Sequence, residues 1–439
     1  MLGWSLRPLL DAGRDPGTIR VLDPACGPGN FLVAAARRLG TAQNLVGVDT
    51  DPRAVERCRS ALGLGARVEV GDAFTADLED GSFDAVVGNP PFLTPLRTAT
   101  ATEKAARTAR LRSRLPPYID ESALFLVLAT RLARPDGGRV AFVQPLATLA
   151  TRDGGWARSA VLQLAALEHL WIATDSVFAA SVLTCAVGLC RGERQGAVSR
   201  FLGDVALPPC PLPTDSWSPL LADAFGVPSV TLSSDECIGD VAQVTADFRD
   251  EYYEIASLVA DGGEGAPVVT SGLIEPGRVR WGERATTIAR RRFTRPTVRV
   301  AELSDRLRAR LVPKVVIATQ TKVIEAAVDD EGAWVPAVPI ISAAAERDRL
   351  WHLAAALCSP ALTAHAATQR LGAARAASAL KLSASDVRRL PLPAPSDAWD
   401  RAAVALRGGD VVASGHFMCE AYDVDDEVFT WWEQRLPRR

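Results

Sequence analysis

The stretch "VLDPACGPGNFL", residues 21–32, decides how the chain is read. An apolar run ends at Asp23, Gly27 and Gly29 follow, and "FLVAAARRLG" carries a helical pattern to Gly40. A strand, a glycine turn and a helix in immediate succession make one β–α unit. Glycines at such a turn let the backbone bend sharply and approach a ligand closely. The spacing is G-x-G, not the G-x-G-x-x-G of a dinucleotide fingerprint. Candidate ligand contacts in this loop are Asp23, Ala25, Cys26, Gly27, Gly29 and Phe31.

Outward from this unit the alternation continues. "NLVGVD", "ARVEVGD", "FDAVVGN" and "RVAFVQP" read as strands, and "DPRAVERCRSALGLG" and "SALFLVLATRLARPDGG" as helices. The pattern over residues 19–190 predicts an α/β fold, a doubly wound, mainly parallel sheet with helices on both faces. Ligands of such sheets bind at the carboxyl ends of the strands. Asp49, followed by Thr50, ends the second strand, where a carboxylate can accept from both hydroxyls of a ribose. Asp72, followed by Ala73, ends the third, where it can take an adenine amino proton. Asp23 beside the glycine turn suits a cationic amine. Together these features fit a nucleoside with an amino-acid tail, S-adenosylmethionine. Any one of the aspartates reads equally well as a helix N-cap; their order at successive strand ends favours the cofactor.

"FDAVVGNPPFL", residues 83–93, ends the fourth strand with an amide, two prolines and an aromatic. The exocyclic nitrogen of adenine is a poor nucleophile because its lone pair is delocalised into the ring. Acceptors on both of its N–H groups draw it toward tetrahedral geometry. The Asn89 side-chain oxygen and the Pro90 carbonyl supply two such acceptors, and a proline adds no competing donor. Pro91 stiffens the loop. Phe92 offers a stacking face, an interaction typically of about 1–3 kcal/mol per base. As a bare tetrapeptide, "NPPF" is equally a rigid turn.

The chain has 439 residues, 48% of them hydrophobic and 23% charged, which predicts two or three globular domains. A net charge of −3 excludes a uniformly basic nucleic-acid binder, so a nucleic-acid partner needs a local basic face. The eight cysteines form no CxxC pair and the four histidines lie far apart. This gives no zinc site or other metal site, and fits a reducing cytoplasm. The start, "MLGWSLRPLLDAGRDPG", lacks the features of a signal peptide, and no apolar run is long enough to span a membrane.

The expected organisation is a catalytic domain over 1–198, a Pro-rich linker over 199–239 containing "LPPCPLPTDSWSP", a second domain over 240–395 and a helical extension over 396–439. In the second domain "PKVVIATQTKVIEAAVDDEGAWVP" reads as a hairpin turning at "DDEG", and "VFTWWEQRL" as a helix docking its tryptophans. Between Arg278 and Lys322 thirteen Lys and Arg face only three acids. Such an excess suits a groove for phosphates. Its candidate contacts are Arg278, Arg280, Arg290, Arg291, Arg292, Arg295, Lys314 and Lys322. A second basic cluster, Arg97, Lys104, Arg107, Arg110, Arg112 and Arg114, follows the NPPF loop and reads either as a strand-holding surface or as an exposed lid helix. No acid–x–Lys nuclease pattern stands out.

"DPACGPGNF", "GVD", "GD" and "GNPPF" in this order resemble the amino-methylating DNA methyltransferases. The match is to N6-adenine enzymes of the gamma order, as in type I and type IIG restriction–modification systems. The resemblance covers most of residues 19–191. It implies a class I SAM-dependent methyltransferase, Rossmann-like, with a C-terminal mixed α+β target recognition domain. It also implies double-stranded DNA as substrate, a flipped-out adenine, and restriction or specificity subunits as partners. Phe178, in "VFAASVLTCAVGL", takes the position of a phenylalanine that packs on the extruded base. The family carries a further short motif upstream, and "MLGWSLRPLL" resembles the helix that follows it. RNA-base and protein-glutamine methyltransferases use related NPP loops, and a DNA-binding subunit without turnover is the reading outside enzymology.

Overall fold

The computed structural model describes residues 1–92, 99–174, 183–246, 249–372 and 379–437. Arg97 and Phe178, both singled out above, lie outside them. The chain divides into two compact units, Met1–Ala224 and Phe225–Arg439.

The first unit runs α1 (Leu2–Asp11), β1 (Val21–Asp23), α2 (Asn30–Leu39), β2 (Leu45–Asp49), α3 (Pro52–Leu62), β3 (Arg67–Val70) and β4 (Ala85–Gly88). It continues with α4 (Ala101–Leu111), α5 (Glu121–Leu132), β5 (Arg139–Pro145), α6 (Ala147–Ala150), α7 (Arg152–Leu162), β6 (Ala165–Ile172), β7 (Thr184–Arg191), β8 (Ala197–Leu202) and β9 (Val205–Pro211). The nine strands form one sheet in the order β3-β2-β1-β4-β5-β7-β6-β8-β9. β1 pairs in parallel with β2 and β4, and β3 and β5 extend the parallel half. β7 is antiparallel to both β5 and β6. Every residue of β1 and β4 is buried, as expected for central strands covered on both faces. Leu32, Ala35 and Leu39 of α2 share a core with Val21, Leu45, Val55 and Ala85. Local signals set the helix ends. Pro52 starts α3 behind Asp51, whose carboxylate accepts from the Arg53 N–H at 2.9 Å, and Gly40 closes α2 at φ 71°.

The Pro-rich segment read as a linker is instead, in part, β9. It lies at the sheet edge, and the register of β8 against β9 shifts between Val198 and Arg200. Prolines that lack a ladder donor are tolerated at edges and bulges. Arg200 anchors the turn beyond, donating to the Pro208 carbonyl and pairing with Asp223 at 2.6 Å. The first unit therefore continues to Ala224, past the expected boundary at residue 198.

The second unit holds an antiparallel sheet of Gln243–Ala246, Ile340–Ala344, Lys314–Ala318 and Ala326–Asp329, in that order. The expected hairpin exists, but its connection is residues 319–325, because Val315 pairs with Val328 and Ile317 with Ala326. "DDEG" begins on the last residue of the second strand, Asp329. There Asp329 accepts the Ala333 and Trp334 N–H groups, both at 2.9 Å, and the chain leaves toward Val335–Pro336, which pairs with Ala266–Val269. The helix Asp426–Glu433 buries Trp431 and Trp432, as the sequence predicts. Among the described residues no helix is long and apolar enough to cross a membrane.

Candidate active site

The strand order brings four residues into a row. β3, β2, β1 and β4 are neighbours, and their carboxyl ends lead into Asp72, Asp49, Asp23 and Asn89. With neighbouring strands about 4.8 Å apart, the row spans about 14 Å.

Asp49 organises the glycine turn. One oxygen accepts the Gly27 N–H at 2.7 Å and the other the Asp51 N–H at 2.9 Å. The two glycines differ in role. Gly27 has φ 52°, and a Cβ there would meet nothing within 4 Å, so its outer face borders open space. Gly29 has φ 91°, and a Cβ there would lie 2.5 Å from the Cys58 Sγ. Gly27 thus leaves room for a ligand, whereas Gly29 is required by the packing of α2 on α3. Cys26 is buried, its N–H bonded to the Val48 carbonyl at 3.0 Å, and burial pushes its thiol up. Ala25 donates its N–H to Asp23 at 3.1 Å. Phe31 is half-buried against the α2 core and Thr50 is exposed.

Asp23 is only 1% exposed. Burial pushes its carboxyl up to about 7; the Ala25 N–H opposes this and the Asp49 carboxylate adds to it. A buried acid poised near neutrality beside a second carboxylate is matched to a cationic partner. Gly88 leaves room for the Asp23 carboxylate beside β4, since a Cβ at Gly88 would sit 3.0 Å from the Asp23 Oδ1. The sequence signal for Gly88, a glycine ending an apolar strand, was present but unassigned.

The Asn89 Oδ1 is buried and has no hydrogen-bond partner among the described residues. Leaving such an acceptor unmade costs about 1–3 kcal/mol, so its retention calls for an explanation. Pro90 is buried, Pro91 exposed and Phe92 half-buried.

Asp72 accepts the Phe74 N–H at 3.0 Å, and Ala73 behind it is buried. Its second oxygen pairs with Arg107 at 3.2 Å. Arg107 was read as part of a surface cluster; it is buried instead, paired also with Glu121. Arg110 likewise turns inward, to the Asp80 carboxylate at 2.9 Å and the Leu78 carbonyl at 2.7 Å. Nothing in the sequence marks the Arg107 contacts, because Asp72 and Glu121 meet it only through the fold.

The N-terminal unit matches a known family. Residues 21–112 fit the model of a methyltransferase domain. The first unit has the class I SAM-dependent methyltransferase fold. S-adenosylmethionine is the cofactor of this fold. The open face of Gly27 and the acidic edge fit it. Among curated relatives, the chain shares 46% identity over 70 residues with the ribosomal protein L11 methyltransferase of Ralstonia nicotianae, covering 16% of this chain and 22% of that protein. It shares 35% over 74 residues with the type II methyltransferase M.CvrRI of Paramecium bursaria Chlorella virus XZ-6E, covering 17% and 18%. The chain therefore spans less than a quarter of either relative. The type IIL restriction–modification enzyme MmeI, solved in complex with DNA, has a similar fold. Its TM-score is 0.63 at 13% identity, over 99% of this chain and 71% of that one.

In the second unit the expected phosphate contacts separate into two groups. Lys314 is excluded: it is 1% exposed and paired with Asp329 at 2.6 Å, its neighbour across the sheet. Arg278 and Arg280 are engaged with Glu275, at 2.9 and 3.3 Å. Burial works against ionisation of Glu275, but its hydrogen bonds from Arg278 and Arg284 prevail and hold its carboxyl below the usual range. Arg290, Arg291, Arg292, Arg295 and Lys322 are exposed. The three consecutive arginines sit on the hairpin of Thr286–Ile288 and Arg291–Phe293, whose turn residues Ala289 and Arg290 have φ 50° and 66°. Two successive left-handed residues are the requirement of a tight two-residue hairpin.

Proposed function

We propose that the chain is a site-specific DNA methyltransferase acting on the N6 amine of an adenine flipped out of duplex DNA. In this reading it is the modification arm of a restriction–modification or phage-defence system and works with restriction or specificity subunits. The observation that carries the reading is the buried, unpartnered Asn89 oxygen at the end of the cofactor row. It is an acceptor waiting for a donor, and an exocyclic amine supplies one.

The cofactor supplies an electrophilic methyl group. Asp49 would hold the ribose, Asp23 the ammonium of the tail and Asp72 the adenine amine. The Asn89 oxygen and the Pro90 carbonyl accept the two N–H bonds of the target and aim its lone pair toward the cofactor side. Phe92 stacks on the extruded base, and Phe178 is proposed for its other side. No strong base is required, because the proton leaves after the nitrogen has become cationic. Extrusion costs a few kcal/mol, which backbone contacts must offset. Arg290, Arg291, Arg292, Arg295 and Lys322 are the proposed phosphate contacts.

A protein-amide or RNA-base substrate is the second reading, favoured by the 46% identity to the L11 methyltransferase. The exposed arginine hairpin weighs against the protein substrate, because it suits a polyanion. Asn89→Ala is the test. Methyl transfer should fall by about 100- to 1000-fold, the scale for losing one preorganised polarising group, with DNA affinity within about twofold of the parent. Transfer retained in that variant sinks the reading.

A further inference from the structure

Arg107 comes from α4, the first described helix after the NPPF loop, and its guanidinium is fully committed. Its Nε donates to Glu121 at 2.9 Å, Nη2 donates to the same carboxylate, and Nη1 donates to the Asp72 Oδ2 at 3.2 Å. The plane lies over the Phe74 ring, 4.7 Å from its centroid, and Phe74 packs edge-on against Phe125 at 5.0 Å. The side chain of Arg107 is 8% exposed, that of Glu121 13% and that of Asp72 29%. Two carboxylates against one guanidinium leave one formal negative charge over, and Asp72 is the most exposed of the three.

We infer that Arg107 is a positioning residue for the cofactor's base: it locks the plane of the Asp72 carboxylate so that Asp72 selects an amino group over a carbonyl at the purine 6 position. The inference rests on the assignment of Asp72 to the adenine end of S-adenosylmethionine. The physical reason is rotational. The Phe74 N–H holds Oδ1 and Arg107 holds Oδ2, so the carboxylate cannot turn, and the remaining lone pair on each oxygen has a fixed direction. A fixed acceptor rewards a donor and repels a carbonyl oxygen. A freely rotating carboxylate swings away to water and discriminates poorly. Because α4 carries the arginine, the helix downstream of the substrate loop is fastened to the cofactor's base-reading acid.

The test is calorimetric binding of S-adenosylhomocysteine and S-inosylhomocysteine, which differ in an amino group against a carbonyl at position 6 and in N1, an acceptor in the first and an N–H in the second; the Arg107 variants are read against the parent, so the N1 difference is common to both. The parent should prefer the adenosyl compound by about tenfold or more, the scale of one hydrogen bond to a charged group. Arg107→Met should reduce that preference to within about threefold, mainly by weakening the adenosyl compound, and Arg107→Lys should restore part of it. If Arg107→Met keeps the full preference, or weakens both compounds by one common factor, the inference is overturned. If Arg107→Met does not fold, Arg107→Lys decides: an unchanged preference overturns it. Asp72→Asn separates the two levels. A loss of preference in Asp72→Asn with Arg107 variants unaffected removes the inference alone. No preference in the parent, with Asp72→Asn unchanged, removes the Asp72 assignment and the inference with it.

Discussion

Substituting alanine at Gly27 and at Gly29 should give opposite phenotypes. Both residues occupy the left-handed region, at φ 52° and 91°, which costs a residue with a Cβ about 1–2 kcal/mol. At Gly29 the new methyl would also lie 2.5 Å from the Cys58 Sγ and 3.3 Å from the Cys58 Cα, a backbone atom that cannot swing away. Overpacking of this kind adds about 1–3 kcal/mol. Gly29→Ala should therefore lose about 2–5 kcal/mol of unfolding free energy, and Gly27→Ala only about 1–2. At Gly27 the methyl enters open space, which is the space assigned to the cofactor. Affinity for S-adenosylhomocysteine should then fall by about 10- to 100-fold in Gly27→Ala, the equivalent of that overpacking transferred to the ligand. Urea unfolding and titration calorimetry on the full chain read both quantities. Adding Cys58→Ala to Gly29→Ala should recover part of the packing loss. The reasoning is refuted if Gly27→Ala binds the cofactor product like the parent, or if Gly29→Ala is no less stable than Gly27→Ala.

Further outcomes concern charge. The carboxyl of Asp23, raised to about 7 from an ordinary 3.8, is largely protonated in the free protein below neutrality. Its contribution to stability is full below about pH 4 and is lost as pH rises through about 7. Affinity for the cationic tail moves the other way: it should rise from pH 6 to 8, with proton release in calorimetry that fades above neutrality. A pH-independent affinity contradicts the placement of Asp23 at the ammonium. Replacing Arg290, Arg291 and Arg292 together by alanine should reduce the slope of log affinity against log salt for duplex DNA by about 3. Lys314→Met, in contrast, should leave that slope unchanged and cost about 3–5 kcal/mol of stability, because Asp329 stays buried without its partner.

The parallel half of the sheet was legible because each of its units is local. Continuous apolar strands, glycine turns at Gly27 and Gly40, and Asp51 with Pro52 at a helix start announce themselves within a few residues. Asp23 and Asp49 were legible for the same reason, since each closes a strand, whereas Asp72 follows β3 by two residues. The second unit was not, because its strands are short and pair across long separations. Val335–Pro336 joins Ala266–Val269, which no local turn signal specifies. Charge misled where partners are tertiary. Lys314 precedes the apolar run "VVIA", and only the register that sets it opposite Asp329 shows that it is an interior ion pair. Arg107 and Arg110 likewise carry no mark that separates them from solvated residues such as Arg112. The prolines around Pro208 looked like a linker because propensity is blind to the edge position that accommodates them.

The central claim is tested most directly by the product. The purified chain, given labelled S-adenosylmethionine and a mixture of duplex DNA, RNA and ribosomal protein, should place label in the DNA. Digestion should recover it as N6-methyladenine from one recurring sequence context. Label recovered in RNA or protein, or in DNA on a base other than adenine, would contradict the account.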